Sequence, residues 1–162
     1  MPLHLSGHCA LRHLDLIYVI GSDFLYSDYI QVLVFNITAE YWQILPQTQQ
    51  ENRPQNRQDF ACSISKNKTE IFISGGNGQN DFWKFDLMSG SWQKLANSIQ
   101  KRAGHVMTLY RNHITVIGGV CPENQTLLGS MESFIDGAWI TLNETITRRK
   151  NFKVTQVPSS FL

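Results

Sequence analysis

Short apolar runs separated by polar turns recur three times along this chain. The first set is Leu16-Ile17-Tyr18-Val19-Ile20-Gly21, then Val32-Leu33-Val34-Phe35, then Trp42. The second is Glu70-Ile71-Phe72-Ile73-Ser74-Gly75-Gly76, then Phe82-Trp83-Lys84-Phe85-Asp86-Leu87, then Trp92. The third is Ile114-Thr115-Val116-Ile117-Gly118-Gly119, then Glu132-Ser133-Phe134-Ile135, then Trp139. Runs this short, rich in Val, Ile, Phe and Tyr, predict strands, and no convincing amphipathic stretch of helical length competes with them. Tryptophans 50 and 47 residues apart, and glycines 54 and 43 apart, define one supersecondary unit repeated with loop insertions.

Each unit predicts four antiparallel strands. It opens at Gly7-His8-Cys9-Ala10, Asp59-Phe60-Ala61-Cys62 or Gly104-His105-Val106-Met107, and a polar turn leads to the strand that ends in glycine. A variable loop, a third strand, a turn and the tryptophan strand complete it. A unit of about 45 to 50 residues cannot bury both faces of its own sheet, so copies must stack, and twisted sheets stacked around an axis make a β-propeller. The tryptophans Trp42, Trp92 and Trp139 are then anchors between blades. The units span about 7–46, 57–96 and 101–142, with a linker at 47–56.

Arg102-Ala103-Gly104-His105 with Ile117-Gly118-Gly119, and Ile73-Ser74-Gly75-Gly76 with Asn80-Asp81-Phe82-Trp83-Lys84-Phe85-Asp86-Leu87 and Trp92, resemble kelch repeats. The resemblance implies an all-β, kelch-type β-propeller with one four-stranded blade per repeat. Three departures stand out. The first unit has Gly21-Ser22 for the glycine pair, the second has Phe60 where the others have His8 and His105, and Asp136-Gly137-Ala138 crowds the third. The last departure predicts irregular final strands.

Three blades do not close a ring, for which propellers use four to eight. The chain is therefore a fragment of a longer propeller, a partial propeller completed by another copy or a partner, or an open arc with capped ends. Residues 148–158 resemble either the opening of a further blade or a strand that closes the ring.

Composition narrows the function. Fourteen Lys and Arg against thirteen Asp and Glu leave a net charge of +1, with no basic stripe for nucleic acid. No run approaches the length of a membrane span, and the first residues lack the pattern of a secretory signal. Cys9, Cys62 and Cys121 are read as buried free thiols, which favours a reducing, cytoplasmic setting. Four N-x-S/T triplets at Asn36, Asn67, Asn124 and Asn143 point the other way, to a secreted or extracellular protein.

Catalytic chemistry finds no footing. The histidines make no metal-ligand spacing, and His8 and His105, at equivalent positions, are read as structural rings that pack and donate a hydrogen bond. Gly75-Gly76-Asn77-Gly78 is followed by a strand and by no lysine, which excludes a phosphate loop. Gly21, Gly75, Gly76, Gly118 and Gly119 are read as points of close approach between blades. Asp86 is read as a turn residue accepting backbone N–H bonds. Some kelch propellers are enzymes, such as copper-radical oxidases and sialic-acid isomerases, but the oxidases' set of tyrosine, cysteine and histidine ligands cannot be placed here. No enzymatic activity and no cofactor are expected.

Function is then expected in loops on a rigid scaffold. The loops after the glycines offer Tyr26 and Tyr29 as aromatic anchors, and Asn77, Gln79, Asn80, Glu123, Asn124 and Gln125 as polar contacts. The connections 47–58 and 96–101 are expected on the opposite side of the blades. The resemblance implies a protein-binding adaptor, such as the substrate-recruiting part of a ubiquitin ligase or a cytoskeletal adaptor. No BTB, BACK or F-box region is recognisable in these residues. A glycan- or receptor-binding extracellular segment, and a shortened product without independent function, are the alternatives.

Overall fold

A computed structural model describes residues 3–48, 52–142 and 147–154. Blade 1 is the sheet β1 (Ser6–His13), β2 (Leu16–Ser22), β3 (Ile30–Asn36) and β4 (Tyr41–Ile44), paired in that order. Blade 2 is β5 (Ala61–Ile64), β6 (Glu70–Ser74), β7 (Phe82–Asp86) and β8 (Trp92–Leu95). Blade 3 starts with β9 (Val106–Tyr110) and β10 (His113–Ile117), then makes a small ribbon of β11 (Val120–Cys121) and β12 (Thr126–Leu127). It resumes with β13 (Met131–Ile135) and β14 (Ala138–Leu142). All pairings are antiparallel, as hairpin-connected strands require.

The apolar pattern is divided between two faces because strand side chains alternate. In blade 2, Ile71, Ile73, Phe85 and Trp92 point one way and pack with Tyr18, Ile20, Val32 and Val34 of blade 1. Phe72 and Phe82 point the other way, into a second core with Ile114, Val116 and Trp139 of blade 3. Phe82 is fully buried between Phe72, Phe134 and Trp139, with ring centroids 4.9–5.5 Å apart. Truncating Trp139 would empty the centre of that interface, a loss of about 3–5 kcal/mol.

Trp92 and Trp139 are therefore joints between blades, each also donating an indole N–H to the blade before it or the connection from it. Trp92 Nε1 donates to Gln47 Oε1 at 2.8 Å and Trp139 Nε1 to the Ala96 carbonyl at 2.9 Å. Trp42 has no preceding blade to meet among the described residues. It is half-buried against Phe35, 5.0 Å between centroids, on the face of blade 1 turned away from blade 2.

Two sequence expectations are corrected here. The final strands of blade 3 are regular: Met131 to Ile135 pairs residue for residue with Leu142 to Ala138. Asp136 at φ +49° and Gly137 at φ +85° form the two-residue turn whose twist suits such a hairpin, so the crowding is the turn itself. Cys9 and Cys62 are not free thiols. They form a disulfide between β1 and β5, the innermost strands of neighbouring blades, leaving Cys121 as the free cysteine among the described residues.

The glycine pairs sit where one blade touches its own first strand and the next blade. Gly76, at φ +83°, donates its N–H to the Arg102 carbonyl, and a Cβ there would lie 2.4 Å from the Gln58 carbonyl oxygen. Blade 1 has Ser22 at this place, and its hydroxyl donates to the Arg57 carbonyl at 2.8 Å instead. The side chain thus replaces a backbone bond that glycine makes elsewhere.

Candidate interaction surface

Two regions could receive a partner: the channel along the blade axis and the loop face above it. The channel, about 600 Å³, is lined by β1, β5 and β9 together with Phe152, Lys153 and Val154. Its mouth is framed by Gly7, His8, Asp59, Phe60, Gly104, His105 and Asn151. His8 is exposed at this mouth, whereas His105 is buried and neither of its ring nitrogens has a hydrogen-bond partner. The hydrogen bond expected of these rings is therefore absent at His105. Burial, with the nearby Arg102 guanidinium adding to it, pushes the His105 imidazole down to about 3, so it is neutral at ordinary pH. No group of three metal-binding side chains gathers among the described residues, and no helix is long and apolar enough to cross a membrane.

The loop face is organised by two buried ion pairs. Arg57 grips Asp81 through both guanidinium nitrogens, with Nη2 to Oδ2 at 2.9 Å and the shorter contact between Nη1 and Oδ1. Asp81 Oδ2 also accepts the Trp83 indole N–H at 2.6 Å. Arg102 donates to Glu132 at 2.6 Å, to the Gly118 carbonyl at 2.8 Å and to Ser130 Oγ at 2.8 Å. Glu132 in turn accepts the backbone N–H groups of Ile99 and Gln100. Each arginine, from the segment that opens a blade, clasps the second and third strands of that same blade. Blade 1 has Leu5 in that place, so this clasp begins at blade 2.

The connections between blades lie on the same side as the loops after the glycines, which corrects the opposite placement expected. Tyr29 bridges to Gln55, Asn56 N donates to Asp28 O at 2.8 Å, and Arg53 stacks over the Tyr29 ring at 4.4 Å. Asn80 Nδ2 donates to Ser98 O at 2.9 Å, and Lys101 pairs with Glu123 at 2.6 Å. The alternation of strand direction requires this: the second-to-third loop and the exit from the fourth strand emerge at one end of a four-stranded antiparallel unit.

Within this face Leu25 and Tyr26 are the most exposed apolar residues, at 74 and 79%, and the adjacent Phe24 is 52% exposed. They ride on a tight turn held by Asp23, which is buried. Its Oδ1 accepts Leu25 N and Tyr26 N, and its carbonyl accepts Ser27 N at 3.1 Å. Asn56 reaches across from the next connection and donates its amide to the Asp23 and Ser27 carbonyls. The tip is thus apolar at its crest and rigid at its base.

The chain matches the KLHDC2/KLHL20/DRC7 Kelch-repeats domain over residues 7–150. It belongs to the kelch-repeat family. It is 32% identical over 120 residues to Kelch domain-containing protein 8B of Homo sapiens and of Pongo abelii, and 30% identical to that of Bos taurus. Each alignment covers 62% of this chain and 30% of the relative, so the chain spans about a third of the length of these curated relatives. Kelch membership supports a general protein-interaction, scaffold role.

On this kelch scaffold the residues singled out from sequence have distinct situations. Tyr26 is exposed, while Tyr29 is half-buried beneath Arg53. Asn77 Oδ1 accepts Gln58 N, and Asn80 is tied to the following connection. Gln79, Glu123, Asn124 and Gln125 are exposed. The Gln125 amide donates to Pro122 O, and Asn124 Oδ1 accepts Thr126 N. Asp86 Oδ1 accepts Met88 N and Ser89 N, at 3.0 and 2.7 Å, and these bonds hold its carboxyl below the usual range. Sequence reasoning missed Phe24 and Leu25. The signal was present as three consecutive large apolar residues in a loop, but only burial shows that they do not turn inward. Asn143, Gln49, Gln50 and the segment 155–158 lie outside the described residues.

Proposed function

We propose that this chain is a non-enzymatic scaffold that binds a protein partner through its loop face, with Phe24, Leu25 and Tyr26 as the anchor. The carrying observation is the apolar tip locked from below by Asp23 and Asn56. A turn whose backbone is held in place before contact loses less freedom on binding than a mobile loop, which favours an aromatic and apolar anchor there. Within this reading the chain recruits a substrate for a ubiquitin ligase or bridges to the cytoskeleton in the cytoplasm, with its ring completed by self-association or by missing blades. The test is affinity capture with the 162-residue chain and with a Phe24→Ser, Leu25→Ser, Tyr26→Ser variant of matched circular dichroism. Partners retained by the first and lost by the second support the loop-face reading. Identical capture by both would refute it.

The Cys9–Cys62 disulfide favours a second reading, a segment that binds glycans or receptors in an oxidising compartment. Asn67 and Asn124 both stand exposed in turns, open to glycosylation there. Protein from its own cells, treated with a glycosidase specific for N-glycans, would shift in mobility on this reading and stay unchanged on the first.

A further inference from the structure

The turn after the paired glycines of blade 2 carries the one Asn-Gly step in the sequence, Asn77-Gly78. Gln79 N donates to Gly76 O at 2.8 Å, which closes a turn with Asn77 and Gly78 at its centre. Both stand at left-handed φ, +46° and +80°, the mirror-image turn that this dipeptide favours. The amide of the second central residue takes no part in the closing bond, and Gly78 N has no acceptor among the described residues. Asn77 is exposed, and a Cβ built on Gly78 would meet nothing nearer than Pro122 Cβ at 3.9 Å. Asn77 Oδ1 accepts the Gln58 N–H at 3.1 Å. A donor on that oxygen draws electron density from Cγ and stabilises the oxyanion formed when a nucleophile adds there. The turn therefore holds an untied backbone nitrogen one residue beyond a polarised, accessible side-chain amide, and reaction between them is intramolecular.

We propose that Asn77 is a site of spontaneous deamidation, which changes this corner of the loop face from neutral to anionic. Gly78 N adds to Asn77 Cγ and gives up its proton to solvent base, while Nδ2 takes a proton and leaves as ammonia. The new N–Cγ bond closes a five-membered succinimide. Water then opens the ring. Entry at Cγ yields aspartate, and entry at the backbone carbonyl carbon yields isoaspartate, whose main chain runs through Cβ and Cγ. Water is the sole co-reactant, and nothing is oxidised or reduced. Aspartate keeps an oxygen for Gln58 N and adds a charge. Isoaspartate adds a methylene to the main chain inside the Gly76–Gln79 turn. Gly76 leaves no slack there, since a Cβ on it would lie 2.4 Å from Gln58 O, so the displacement falls on the bond to Gln58 N.

Two other places show what the fold withholds. Asn97 is exposed and followed by a small residue, but Ser98 N donates to Asn80 O at 2.8 Å. That bond has to break before the nitrogen can attack. Asp136-Gly137 occupies a similar left-handed turn, but a carboxylate is a weaker electrophile than an amide, and its isomerisation leaves the mass unchanged.

The test incubates the 162-residue chain at 37 °C and pH 8, native and in urea, and locates each amide-to-acid conversion by tandem mass spectrometry of its peptides. Asn77 should convert in the native chain, as aspartate and isoaspartate. The ratio of Asn77 to Asn97 conversion should be about tenfold higher in the native chain than in urea, because only the native fold ties Ser98 N. Asn77→Gln, checked by circular dichroism, should lose the acidic species that isoelectric focusing resolves in the incubated parent. Conversion of Asn77 in urea but not in the native chain would overturn the proposal, since the fold would then protect the site. An equal ratio in both states, or an acidic species that forms as fast in Asn77→Gln, would overturn it too. The readout is the covalent change itself, so it succeeds or fails independently of whether the loop face binds a partner.

Discussion

Replacing His105 by phenylalanine should remove much of the acid sensitivity of this protein. The ring is buried with both nitrogens unpartnered, and its imidazole is pushed down from 6.5 to about 3. In the unfolded chain the same group takes up a proton near 6.5. Below that pH the unfolded state binds a proton that the native state refuses, so stability falls as pH drops from 6.5 and levels off below about 3. Each pH unit within that window costs about 1.4 kcal/mol. The loss at pH 5 is therefore about 2 kcal/mol, and about 5 kcal/mol at the lower limit. Phenylalanine is the informative substitution because Phe60 and Phe152 hold the equivalent place in neighbouring units. It also removes two buried polar atoms that gain nothing from the fold. Urea unfolding at pH 7.5 and pH 5.0, on both proteins, isolates the term as the difference of two differences. The wild type should lose about 2 kcal/mol more than the variant between these conditions. An equal loss in both would show that this histidine is solvated or paired, and the reasoning would fail.

Other perturbations probe the joints. Removing the Cys9–Cys62 disulfide, by reductant or by a double serine substitution, should cost about 4 kcal/mol on the chain-entropy account, since the bonded residues are 53 apart. An unchanged urea midpoint with reductant would argue against the bridge. Glu132→Leu should destabilise by about 3–5 kcal/mol because Arg102 stays buried without its carboxylate, whereas adding Arg102→Met should restore part of it. Thermal melts of the single and double variants decide this, and an additive double would refute the coupling. Gly76→Ala should be far worse than Gly137→Ala. Both are left-handed, costing about 1–2 kcal/mol, but only Gly76 would also drive a Cβ against backbone, while Gly137 has nothing within 4 Å. Similar melting losses for the two would count against the close approach.

What the sequence by itself determined is the part carried by local chemistry. Alternating apolar runs specify strands, paired glycines mark their ends, and repetition at one period forces small sheets to stack on each other. The kelch character was therefore legible from Ile73-Ser74-Gly75-Gly76 to Trp92, and the general interaction role goes with that family. The regular hairpin at Asp136-Gly137 was legible too, had the two positive-φ residues been read as a turn and not as crowding. Tertiary structure decided whatever depends on residues far apart in the chain. Cys9 and Cys62 become neighbours only because β1 and β5 flank one axis. The connections join the loop face because antiparallel strands reverse direction an odd number of times. Pattern sets the strands; the packing of blades around the axis assigns each side chain to a joint, a channel or a surface.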